Sequence, residues 1–130
     1  MKKTFLFLCF ALCFVALFTA CLEPAGSDDL FSPPSWIRGT WGDSTAHYVY
    51  TFTTHDIAMT SDFSRTAGFS VLYEDKNVVE TITDSLYEFT VSTDSTFVVT
   101  YRFQKLTAAT LNFSWVNSIG PGGPMELTKE

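Results

Sequence analysis

The sequence predicts an all-β protein, a small up-and-down antiparallel meander of about eight strands closed into a barrel. Three observations carry this. Apolar and aromatic residues alternate with polar ones along several separate stretches, the period of a strand buried on one face. Short clusters containing Asp, Ser, Asn and Gly separate those stretches at hairpin spacing. No stretch of comparable length repeats its apolar residues at the helical period. A meander of this kind has two free edges, and closure into a barrel removes them.

In chain order, the first element is a leader. Lys2 and Lys3 give a basic start, and Phe5 to Ala20 forms a sixteen-residue run interrupted only by Cys9, Cys13 and Thr19. A spanning helix needs about 20 apolar residues, so the run suits the apolar region of a secretory signal. It ends in Phe18-Thr19-Ala20-Cys21. This ending resembles the lipobox of bacterial lipoproteins, in which small residues precede a cysteine. The resemblance implies cleavage between Ala20 and Cys21, a diacylglyceryl group on the Cys21 thiol and acylation of the new amino terminus. Phe18 stands where that family usually has Leu. The alternative is an ordinary signal peptide that leaves Cys21 a free thiol. Cys9 and Cys13 leave with the leader in either case, so the mature chain has one cysteine and no internal disulfide. Loss of Lys2 and Lys3 leaves six basic residues against 14 acidic ones, a net charge of −8. Such a surface disfavours nucleic acid and anionic lipid as partners.

The second element, Leu22 to Ser35, contains three prolines and no apolar period, so it reads as a tether. Leu30 and Phe31 are its two residues able to dock on a neighbouring domain. The division expected is a leader over 1–20, the lipidated cysteine and tether over 21–35, and a barrel over 36–130.

Within the barrel, strands are predicted near 37–42, 47–53, 57–60, 68–73, 78–83, 86–92, 96–105, 110–116 and 124–128. The alternation places Tyr48, Tyr50 and Phe52 on one face of the second strand. It does the same for Tyr87, Phe89 and Val91, for Phe97, Val99, Tyr101 and Phe103, and for Leu111, Phe113 and Trp115. Phe69 and Tyr73 join that inner set. Segment 61–67 fits either a loop or a helical turn. Turns fall at Thr54–Asp56, Glu74–Asn77, Thr83–Ser85 and Thr93–Ser95, and Gly120–Gly123 is the strongest loop signal.

Gly39-Thr40-Trp41, at the head of the first strand, resembles the G-x-W motif of lipocalins and related calycins. The closing Met125–Glu130 is similar to the last strand of small lipocalin-like lipoproteins. The resemblance implies that Trp41 closes the barrel's bottom and that Gly39 permits close packing there. The family also packs an arginine on this tryptophan. Arg102 is nearest to that role, but alternation places it opposite the aromatic face.

Little in the sequence suggests catalysis. His47 and His55 are the only histidines, and no ligand spacing for a metal surrounds them. No nucleophile motif is present, and Glu80 and Glu88 read as surface charge on polar strand faces. No enzyme activity, cofactor or metal is expected. The functional potential lies in Tyr48, Tyr50, Phe52, Tyr87, Phe89, Tyr101, Phe103, Phe113 and Trp115. An eight-stranded barrel has room for side chains or for one small ligand. Two functions follow: a module that binds a small apolar ligand, or a solid-core module that presents its surface to an envelope or host protein. The lipobox resemblance implies a membrane-anchored envelope protein. Leu22 after the cysteine, where Asp marks retention at the inner membrane, points to the outer membrane.

Overall fold

Nine strands and one helical turn follow one another: β1 (Gly39–Asp43), β2 (Tyr48–Phe52), β3 (Ile57–Ser61), β4 (Ser64–Arg65), α1 (Phe69–Leu72), β5 (Asn77–Ile82), β6 (Leu86–Ser92), β7 (Val98–Lys105), β8 (Thr110–Asn117) and β9 (Gly120–Lys129). The structure is a computed structural model that describes residues 29–45, 47–62, 64–65, 67–93 and 97–130. The leader, Cys21 and the expected tether up to residue 28 lie outside the described residues.

All pairs are antiparallel, and the strand order is β4-β3-β2-β1-β9-β8-β7-β6-β5. Sequence neighbours pair as a meander requires, and β9 returns to β1. The sheet must curl strongly. β2 and β7 stand four places apart, about 19 Å in a flat sheet at ~4.8 Å per strand. Yet the rings of Phe52 and Phe103 meet edge-on with centroids 5.0 Å apart. Tyr50 reaches Phe113 of β8 at 4.9 Å. The result is the predicted all-β meander, curled into a half-barrel.

The half-barrel opens between β4 and β5, which share no ladder. The cause is segment 68–73, predicted as a strand and folded instead around α1. Phe69 and Tyr73 are four apart, a spacing that puts them on one side in either conformation. Val71 decides the matter: a strand would bury it with them, whereas it is 61% exposed. Asp56, in the β2–β3 turn, accepts from Ser70 N at 2.9 Å and so satisfies a donor in the first turn of α1. From α1, Phe69 meets Phe89 at 6.1 Å and Tyr101 at 5.6 Å. Tyr73 Oη bonds Tyr101 Oη at 3.0 Å. Aromatic side chains thereby cover the seam that the ladder leaves open.

Gly120–Gly123 is also not the predicted loop but the first part of β9. The strand tolerates it because Trp115 lies against Gly122, where a Cβ would stand 2.0 Å from Trp115 Cε2. A register shift between Phe113 and Trp115 accommodates the contact.

The described part of the expected tether, residues 29–35, is part of the domain. Phe31 and Pro33 are fully buried, and the Phe31 ring packs edge-on against Phe89 at 5.0 Å. Ser32 N donates to Glu80 Oε1 at 2.9 Å, Trp36 Nε1 to the Thr83 carbonyl at 2.9 Å, and Asp29 pairs with His55 at 2.6 Å. The segment thus runs from the β2–β3 turn across to the β5–β6 turn and plugs that end of the half-barrel. Residues 29–35 therefore pack with the domain whose start the sequence places at Trp36. An aromatic side chain within a proline-rich stretch hides its burial, because no period surrounds it.

Candidate functional site

The two ends of the half-barrel differ. At the plugged end the inner side chains meet one another. Phe52, Tyr87, Phe89, Phe103, Leu111 and Leu127 are buried there with Phe31 and Ile37. Trp41 is 1% exposed and donates from Nε1 to the Ile37 carbonyl at 2.6 Å. Gly39 adopts φ +119°, a conformation that a side chain rarely takes, and the Lys129 stem lies 3.2 Å from the position of its missing Cβ. Lys129 Nζ stands 5.3 Å from the Trp41 ring centroid. The cation over this tryptophan is therefore Lys129. Arg102 lies on the outer face and pairs with Glu88 across β6 and β7 at 2.6 Å.

Glu80 departs from its expected role as surface charge. On β5 it alternates with exposed neighbours and turns inward beside Val78. Its Oε1 accepts from Tyr87 Oη at 2.5 Å as well as from Ser32 N. One carboxylate oxygen therefore joins the plug to a buried tyrosine. Burial first, and this carboxylate second, push the Tyr87 phenol well above its ordinary range.

At the opposite end, where β2, β7 and β9 begin and β3 and β8 finish, the inner face is not filled. A hollow of about 250 Å³ lies there. Tyr48, Tyr50, Phe97, Tyr101, Phe113 and Trp115 form most of its wall, completed by Met59, Val99, Asn117 and Met125. No charged side chain is among them. Of the nine aromatics expected to form a pocket or a core, Tyr48, Tyr50, Tyr101, Phe113 and Trp115 line this hollow, whereas Phe52, Tyr87, Phe89 and Phe103 fill the plugged end. Met59, Asn117 and Met125 were not anticipated. Two of them had a signal: Ile57 and Met59, like Met125 and Leu127, alternate with more polar residues.

The hollow's polarity comes mainly from phenols. Tyr101 is tied to Tyr73, as described for the seam. Tyr50 is 3% exposed, and among the described residues nothing hydrogen-bonds its hydroxyl. Burial raises the pKa of the Tyr50 phenol, helped by the nearby Tyr48 and Tyr73. Burial and the hydrogen bond with Tyr73 raise that of Tyr101. Both therefore stay neutral near pH 7. Tyr101, Phe113 and Trp115 stack in a row, with centroids 6.4 and 5.4 Å apart and interplanar angles of 14° and 26°. Such a wall can hold apolar surface and donate a hydrogen bond. The histidines stand apart from it, His47 with Asp62 and His55 with Asp29. Among the described residues no three His, Cys, Asp or Glu side chains gather around a common point.

A scan of family models, a search of curated proteins and a search of solved structures each found no match.

Proposed function

We propose that the protein is a lipid-anchored envelope lipoprotein whose lipocalin-like half-barrel binds one small apolar ligand at its open end. The observation that carries the binding role is the hollow of about 250 Å³, lined without charge in a protein whose other end is tightly filled. A solid-core interaction module has less support, because its inner face would be filled at both ends. Titration of the protein with a hydrophobic fluorophore tests the binding role. Saturable uptake is expected, and Met125→Trp, which fills the hollow, should abolish it. No uptake by the parent protein rejects the role.

The anchor rests on the sequence: the basic start, the apolar run and Ala20 before Cys21. Delivery to the outer membrane rests on Leu22 at the second mature position. Radioactive palmitate should label the protein in cells, and Cys21→Ser should remove the label. Equal labelling of that variant rejects the anchor.

A further inference from the structure

We infer that the hollow selects an uncharged molecule of about ten non-hydrogen atoms, one or two rings in size, whose single polar atom accepts a hydrogen bond from Tyr50. The inference rests on the binding role proposed above and specifies its ligand.

The polar requirement comes from the Tyr50 hydroxyl. Tyr87 Oη has Glu80, and Tyr73 and Tyr101 bond each other. Tyr50 is as deeply placed, yet it has no partner among the described residues and lines the hollow. No buried side-chain polar atom of the described residues lacks a partner, so this hydroxyl reaches the surface of the hollow. An apolar ligand would cut it off from solvent unpaired, and an acceptor on the ligand therefore contributes more there than against an already satisfied group.

Charge is excluded on both sides. An anion would find no cationic side chain among the described residues of the wall and would bear the same burial that holds the Tyr50 and Tyr101 phenols protonated. The chain's net charge of −6 adds repulsion. A quaternary ammonium needs open ring faces. The inner row of Tyr101, Phe113 and Trp115 offers none, because these rings turn their faces on one another.

Size follows from volume. An apolar cavity of about 150 Å³ accepts benzene, so about 250 Å³ accommodates roughly ten non-hydrogen atoms. A long acyl chain would project from the open mouth rather than be enclosed.

The test uses the full chain carrying Cys21→Ser and four probes of matched size: 1-indanone, indane, 3-phenylpropanoate and phenyltrimethylammonium. Ligand-observed NMR gives the affinities. Indanone should bind about tenfold more tightly than each of the others, and Tyr50→Phe should remove its advantage over indane alone. Equal binding of indane and indanone, or tighter binding of either ion, overturns this inference and leaves the binding role standing. Binding of none of the four overturns both. A second readout needs no ligand. Tyr50→Phe should leave the urea midpoint unchanged or raised, because its hydroxyl is unpaired, whereas Tyr101→Phe should lower it. A lowered midpoint for Tyr50→Phe means that the hydroxyl is already satisfied, and overturns the inference.

Discussion

Phe31→Ala tests whether residues 29–35 belong to the folded domain. The Phe31 ring is fully buried, 5.0 Å from Phe89 and 6.3 Å from Phe69, centroid to centroid. Truncating such a phenylalanine costs about 3–5 kcal/mol, from lost transfer energy and the cavity left behind. The end-on seating beneath Phe69 and Phe89 leaves few side chains free to close that cavity, so about 4 kcal/mol is expected. A domain of this size is stable by about 5–15 kcal/mol, so the loss is a large fraction of the total. At about 4–8 °C per kcal/mol, the melting temperature should fall by roughly 20 °C. With a urea m-value of about 2 kcal/mol/M, the midpoint should fall by about 2 M. Thermal and urea unfolding followed by tryptophan fluorescence measure both. A chain shortened to begin at Trp36 should lose at least as much, since it also lacks the Ser32–Glu80 bond and the Asp29–His55 pair. A change within about 0.5 kcal/mol in both proteins, as expected for an exposed tether, would refute the reasoning.

Glu80→Ala strands the Tyr87 hydroxyl and frees Ser32, so it should cost about 1–3 kcal/mol. In a double-mutant cycle with Tyr87→Phe the losses should be non-additive, and simple additivity would contradict the shared bond. Stability should also fall above about pH 10. The pKa values of Tyr50, Tyr87 and Tyr101 are raised in the fold, so these groups keep protons that the unfolded chain gives up. Each contributes a decline of up to about 1.4 kcal/mol per pH unit once the unfolded phenol ionises. Their phenolate absorbance should appear only with unfolding, and a smooth titration of all five tyrosines in the folded protein would be the contrary result. Gly122→Ala must move the Trp115 ring, and a cost of about 1–3 kcal/mol is expected by urea unfolding. An unchanged midpoint would mean that the ring yields freely.

The strands in the second half of the chain were legible because their alternation is strict. Tyr87, Phe89, Val91, Phe103, Leu111 and Phe113 all point inward as the period requires. Segment 68–73 reads as a strand in the sequence because Phe69 and Tyr73 satisfy both periods, and only the exposure of Val71 separates them. Phe31 reads in sequence as a residue able to dock, yet composition favours a tether, because the rings that hold it, Phe69 and Phe89, come from α1 and β6. Glu80 was hidden for a related reason: a carboxylate in a strand reads as solvated until its partner is known. For the candidate site, the aromatics were legible and their division was not. Which rings meet and which leave a hollow depends on strand tilt across the curled sheet, which brings Tyr50 to Phe113 three strands away. No alternation along one strand carries that information.

The plug fixes a direction for the molecule. Asp29, the point where the described chain begins, lies beside His55 at the closed end, while Ile119, 95% exposed in the β8–β9 turn, marks the open one. β8 alone spans eight residues between them, about 26 Å along the strand. The eight peptide steps from Cys21 to Asp29 cover at most about 28 Å, whatever path they take. Any attachment made through the chain before Asp29 would therefore hold the domain from its closed end. The hollow opens at the end of the sheet away from Asp29, so a molecule entering it approaches from the side opposite the plug.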